Sequence, residues 1–577
     1  MRGIAGMVGP GRMAGLLTAA ALLGAALAPS SIANASASSA AARASTPVAA
    51  AKAPAVSLAT AIARAGRVST VNAPGTQPSN YIPPVAFGTS PQIEKLHYRY
   101  GPLQVRPGTN MIMLGGNVPK PPVDGYIVGI RPNLTLPNGT IPSVNVIHLH
   151  HGVWLNTSAR DLTDPTYAQR FFASGEEKTW AQLPAGFGYP YKASDQWQIN
   201  YMLHNLTPLP FTVYIDYEID FVPATSPLAK TMQPAYPLWM DVENGKAYPV
   251  FDAHRGQGHD GRFTFPTDAT NPYPSGTQPN EWTVPQNMTL IGVAGHLHPG
   301  GLYDTLTDIR PGATLAKAAK AGAPAPVPGD QPNSVEIFRS QAHYWDPRGA
   351  VSWDMAMTKS PTSWRVALKA GDTLKITSTY DVKKQSWYEV MGIMGAWLSY
   401  TAPGVDPFTH AVATTGYITH GLLPENANPL GDVPIADLPD PITELGTLAV
   451  NNTVQIKNFT YTPGAINEEL GGGLSDPPVI KQGQSLTFVN DDNAMNIFHT
   501  VTGCSLPCTA STGVHYPLAD NSPSTAFDSG ELGTGPPGFT AASGSVTWKT
   551  PTDLPPGTYT YFCRVHPWMR GTFRVVK

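Results

Sequence analysis

Cys563-Arg-Val-His566-Pro-Trp-Met569 places a thiolate, an imidazole and a thioether within seven residues. A second imidazole, His499, lies upstream in Asn496-Ile-Phe-His-Thr-Val501. Two His, one Cys and a weak axial Met make up the ligand set of a blue-copper electron-transfer site. Soft sulfur favours Cu(I) and imidazole tolerates Cu(II), so such a set cycles between both states with little rearrangement. The spacing C-x2-H-x2-M puts Cys563, His566 and Met569 on one tight loop between two strands. The bland alternative is a buried Cys beside an unrelated His and Met. The position of His499 at an expected strand end weighs against it.

This segment resembles the ligand loop of cupredoxins, most closely the short loop of amicyanin. The resemblance implies a Greek-key β-sandwich over residues 446–577 holding one type 1 copper.

The rest of the composition fits a turn-rich, β-rich chain. The 577 residues suffice for three or four domains. Charged residues are only 13%, about half the usual share, while Gly and Pro number 55 and 59. The net charge of −3 offers nothing for a nucleic-acid partner. Arg2 and Arg12 flank an apolar run, Ala14 to Ala28, followed by Ala33-Asn34-Ala35. That pattern predicts a signal peptide over residues 1–35 and a secreted, extracytoplasmic protein. The run is too short for a membrane span, and no other stretch approaches the ~18 apolar residues a span needs. Export permits a disulfide. With Cys563 assigned to the metal, Cys504 and Cys508 remain as a pair, and two free thiols are the alternative.

Residues 36–79, rich in Ala, Ser, Thr and Pro, read as a disordered linker. Residues 80–402 consist of short apolar runs bounded by Pro, Gly and Asn. Phe211 to Phe221 alternates, as expected of a strand with one wet face. Ala313 to Pro328 reads as a surface insertion and the Pro-rich stretch 403–445 as a second linker.

Two histidine clusters stand in the middle region: Ile147-His148-Leu-His150-His151-Gly and Gly295-His296-Leu-His298-Pro. Alternate strand residues share a face, so His296 and His298 can grip one metal. His148 and His150 share a face, and a local twist lets His150 and His151 converge. His343, His410 and His420 read as structural or solvated. His254, His259 and His515 are uninformative.

In order along the chain, residues 85–402 resemble the copper type II, ascorbate-dependent monooxygenases, such as peptidylglycine α-hydroxylating and dopamine β-monooxygenase. The matching features are His150-His151, the strand Trp197–His204, His296-Leu-His298, and a Gly371-Asp372 strand followed by Glu389 and Met391. The resemblance implies two jelly-roll β-sandwich domains, over 80–225 and 226–402, each with a mononuclear copper. His150, His151 and His204 would hold the first, with His148 able to replace one of the pair. His296, His298 and Met391 would hold the second, oxygen-activating copper, with Met394 the competing thioether. The chain departs from the family in lacking Cys throughout this region and in having Gly152 where Met is usual. An external electron donor or acceptor and a small organic substrate are implied as partners.

The expectation is therefore an all-β, exported copper oxidoreductase of monooxygenase type with a fused electron-transfer domain. A non-catalytic copper-binding electron carrier is one alternative. A multicopper oxidase or copper nitrite reductase ranks lower, because Phe562 and Arg564 flank Cys563 where those enzymes have a bridging His.

Overall fold

The computed structural model describes residues 92–577, apart from 317–332, 345–354, 420–451, 466–475, 506–526, 535–544 and positions 143, 145, 247, 384, 385, 564, 567 and 568. The expected leader at 1–35, the linker at 36–79 and Cys508 of the expected disulfide lie outside the described residues. The described residues are all-β, as the composition implied, with short 3-10 turns at Pro227–Thr231 and Asp491–Met495. No helix among the described residues is long and apolar enough to cross a membrane.

The first sandwich opposes two sheets. One runs, in spatial order, Glu94–Val105, Phe211–Pro223, Gly125–Thr135 and Phe187–Tyr191. The other runs Asn110–Gly115, Trp197–Asn205, Ile147–Arg160 and Ala168–Gly175. Between them lie Trp154, Ile199, Ile215, Tyr217 and Phe221, each almost fully buried. The expected wet face of Phe211–Pro223 is wet at Glu218 and half-covered at Thr212 and Tyr214, but Asp216 and Asp220 on it are buried. Asp220 is buried there against the Arg131 guanidinium at 3.0 Å, and Asp216 against Arg99 at 3.1 Å. Paired charge replaces water at those two aspartates, which alternation alone does not reveal.

The second sandwich is one continuous sheet folded over its own core. Its order is Tyr236–Asp241, Gly392–Ser399, Met288–Leu297, Met355–Lys359, Ser334–Tyr344, Gly301–Ile309, Thr373–Asp381 and Arg262–Phe265. Leu290, Leu306, Phe338, Ile376, Tyr380 and Leu398 fill it. This sandwich runs past the boundary expected at residue 402. Phe408 joins its core, Arg310 pairs with Asp406 at 2.9 Å, and Tyr417–Thr419 adds a strand beside Met355–Lys359. Proline content suggested a linker there, but one buried aromatic and one half-buried ion pair anchor the segment.

The third sandwich spans two small sheets. Thr460–Thr462, Thr453–Lys457, Thr487–Asn490 and Thr547–Lys549 face Val479–Lys481, Arg570–Val576, Gly557–Phe562, Thr502–Ser505 and Phe527–Asp528. Its core contains Phe488, Tyr561, Cys563, Met569 and Phe573. Parallel pairing of Thr453–Lys457 with Thr487–Asn490, and of Val479–Lys481 with Arg570–Val576, marks crossovers rather than simple hairpins. Phe562 leaves this core and packs with that of the second sandwich.

Candidate metal centres

The C-terminal loop folds back because Cys563 N–H donates to the Met569 carbonyl and Met569 N–H to that of His566. This brings the Cys563 thiol to 3.6 Å from His566 Nδ1 and 3.9 Å from His499 Nδ1. The two Nδ1 atoms face each other at 3.0 Å. All three side chains are buried. The backbone N–H groups of Thr500 and His566 both point at Cys563 Sγ, at 3.4 Å. Burial opposes a thiolate here, yet the two imidazoles hold the thiol well below its ordinary range. Met569, fully buried in the same core, closes the loop. Asp492, which sequence reading passed over, accepts from His499 Nε2 at 3.0 Å and from the N–H groups of Asn458 and Phe459. It orients the ring so that Nδ1 faces the thiol. Two ring nitrogens, one thiolate and a nearby thioether fit copper.

The middle histidines are arranged by a β-bulge. On the strand Ile147–Arg160, His148 pairs with His204 and His151 with Met202, and the register slips between Leu149 and His151. His204 and Met202 are two apart on one strand and share a face. The extra residue at the bulge therefore lets His148 and His151 also share it. Neighbouring Gly175 leaves the space for this. A Cβ there would lie 2.6 Å from the His150 carbonyl and 2.8 Å from both Glu177 Oε2 and His296 Cε1.

The rings do not divide into two separate groups as the family resemblance implied. The His150 ring centroid lies 4.4 Å from that of His298, on the second sandwich, but 6.0 Å from His151. His148 sits 5.2 Å from His204, and His296 5.3 Å from His298. The physical reason is that the two sandwiches meet along their histidine-bearing strands, which brings His150 and His298 into contact. Ligand atoms of His150, His298 and Glu176 all lie within 4.8 Å of one another. Glu176 was not anticipated. Its signal is a charged trio, Glu176-Glu177-Lys178, directly after a strand in a chain poor in charge.

Hydrogen bonds set which nitrogen each ring offers. His298 Nδ1 donates to the Glu389 carbonyl at 2.8 Å, and its backbone N–H to the Tyr380 hydroxyl. His148 Nδ1 donates to the Val144 carbonyl at 2.6 Å, and His151 Nε2 to the Asn200 amide oxygen at 3.2 Å. Burial, reinforced by neighbouring imidazoles, holds His150, His204 and His298 well below the ordinary value. Burial takes His148 and His151 to about 4. These five are neutral at pH 7, the form that binds metal. His296 differs. Burial opposes its charge, but the Glu177 carboxylate at 3.0 Å carries it up to about 9.

Met391 and His298 are linked through their backbones by the Tyr380 hydroxyl, which donates to the Met391 carbonyl at 2.7 Å and accepts from the His298 N–H at 3.1 Å. The Met391 side chain packs with Met202, Trp239, Tyr248 and Ile393 and lines a cavity of about 330 Å³ onto which His151 and His296 also open. Met394 faces the opposite way, into the core of the second sandwich, and so lies off that cavity. A smaller cavity of about 80 Å³ lies where all three sandwiches meet, lined by His150, His204, His298 and Glu531. Across it the His204 and His566 ring centroids are 6.0 Å apart. His343 is half-buried on an inner strand, and His410 is exposed.

No protein-family model matches the chain, and no curated protein matches it. Among solved structures, a purple cupredoxin from Nitrosopumilus maritimus is 19% identical, with a TM-score of 0.14, over 22% of this chain and 99% of that one. A copper-containing nitrite reductase from Thermus scotoductus is 15% identical, with a TM-score of 0.13, over 51% of this chain and 58% of that one. The VP2 subviral particle of infectious bursal disease virus is 9% identical, with a TM-score of 0.15, over 56% and 78% of the two chains. Scores at this level assign the chain to no family.

Proposed function

We propose that the chain is an exported copper-binding oxidoreductase whose C-terminal centre passes electrons to the buried histidine cluster of the middle region. The observation that carries this reading is the convergence of His499, Cys563 and His566, with two backbone N–H groups aimed at the thiol sulfur. Copper bound there would exchange single electrons with little rearrangement. His566 and His204 then bring the two regions into ring-to-ring proximity. The Phe562 and Arg564 neighbours of Cys563 offer no histidine bridge, and this contact replaces it.

At the reaction centre the finer reading is an O2-using monooxygenase acting on a small apolar organic substrate. Its metal-holding residues would come from His150, His151, His204, His296, His298 and Met391. Leu155, Phe172, Trp180, Trp239 and Ile393 on the 330 Å³ cavity exclude water and receive an apolar molecule beside His151, His296 and Met391. Such a cavity is the usual form of a small-molecule site. A second reading, oxygen reduction without an organic substrate as in multicopper oxidases, is favoured by the histidines forming one cluster rather than two.

Copper loading of the full-length protein tests the proposal. An intense visible thiolate-to-copper band and more than one metal per chain are expected. The reduced protein should then consume O2. Hydroxylation of an added apolar substrate selects the monooxygenase reading; uptake without product selects the second. A colourless copper-loaded protein would sink the proposal, and one copper with no turnover would leave an electron carrier.

A further inference from the structure

We propose that His150, Glu176 and His298 form a metal site of their own, a two-histidine, one-carboxylate set for a divalent first-row ion that ties the first two sandwiches together. The inference deepens the reading of the middle region as a metal centre and does not depend on the C-terminal copper.

Three observations support it. First, the ligand atoms lie within 4.8 Å of one another and come from both sandwiches. His150 is on the bulged strand, Glu176 follows the neighbouring strand Ala168–Gly175, and His298 follows Met288–Leu297. Second, the Glu176 side chain is fully buried, and neither carboxylate oxygen has a hydrogen-bond partner in another residue. Burial without a hydrogen-bond partner is costly for a carboxyl, and a metal ion in the site would supply the partner it lacks. Third, His298 Nε2 is also buried without a partner, while its Nδ1 is held by the Glu389 carbonyl. A ring fixed through one nitrogen with the other left open is the usual arrangement of a metal-binding histidine.

The donor set differs in kind from that of the C-terminal centre. It contains no sulfur, so it does not favour Cu(I). Two imidazoles and a carboxylate suit divalent iron, copper, zinc or cobalt and leave coordination positions open. Gly175 next to Glu176 lets the first sandwich approach His296 closely enough to assemble the set.

The test uses full-length protein whose C-terminal centre has first been filled with copper, followed by titration with Co(II). One further equivalent should bind, with visible d–d bands and a rise in melting temperature, since the ion binds only the folded, joined sandwiches. Glu176→Gln should weaken that binding by about 100-fold, the upper end of what loss of even an outer metal partner costs. It should keep the blue band, which reports that the protein is folded. The apo form of this variant should melt no lower than the parent, because the amide fills the same volume and the carboxyl it replaces has no hydrogen-bond partner to lose. Glu176→Asp, which keeps the charge but shortens its reach, should bind with intermediate affinity. Parent-like Co(II) affinity in a blue Glu176→Gln protein would overturn the assignment. So would a parent that takes up no Co(II) beyond the C-terminal centre. Loss of the blue band in the parent would instead count against the proposed function alone.

Discussion

The C-terminal loop and the bulged strand of the first sandwich both gather histidines, but by different means. The C-terminal centre takes three of its four candidate ligands from seven consecutive residues, and the fourth, His499, comes from an isolated β-bridge with Leu532. Backbone hydrogen bonds inside the loop set its shape. The middle cluster draws on three histidine-bearing strands, on His298 just after one of them and on Glu176 just after a fourth, and His150 meets His298 only where two sandwiches dock. One centre is thus a property of a loop, and the other of an interface. Damage to the first should stay local. Damage to the second should change metal capacity and stability together.

The largest expected effect is at Cys563. Cys563→Ser should abolish the visible charge-transfer band completely while leaving Co(II) uptake by the middle region unchanged. A strongly coloured variant would break the distinction between the two centres. Asp492→Asn should come next. It removes the carboxylate that orients His499 and should weaken copper binding at the C-terminal centre by about 10–100-fold, measured by competition with a chelator.

Gly175→Ala tests the interface. The added methyl would meet the His150 carbonyl and the His296 ring. It should cost about 1–3 kcal/mol, the usual range for overpacking, read by denaturant unfolding, and should lower metal uptake in the middle region without bleaching the C-terminal centre. The smallest effect is expected at the cavity rim. Lys246 is exposed and pairs with Glu243 at 2.7 Å. Lys246→Ala should change stability by less than about 1 kcal/mol and leave both centres intact. A large loss of metal there would mean that the rim, not the docked strands, organises the site.

Legibility followed the same division. A thiol, imidazole and thioether at C-x2-H-x2-M spacing share one loop whatever surrounds them. His499, expected at a strand end, reaches them from an isolated bridge with Leu532 instead. The all-β class was likewise readable, because Gly, Pro and short apolar runs act locally. Asp492 was not readable, because the 3-10 turn Asp491–Met495, ended by Asn496 at positive φ, is what brings it back to His499. The extent of the second sandwich was misjudged for a similar reason. Proline content spoke for a linker, and the burial of Phe408 spoke against it only once its core existed.

The sequence by itself determined which residue types were present to bind metal, and it grouped the C-terminal set, because those contacts are short-range. Only the tertiary structure decided that His150 belongs with His298 rather than with adjacent His151, that Met391 rather than Met394 faces a cavity, and that Glu176 stands among the imidazoles. A one-residue bulge shifts every following side chain relative to its partner strand, and the docking of two sandwiches brings together residues more than a hundred positions apart. Neither leaves a periodic mark in the chain, since both depend on how finished sheets pack.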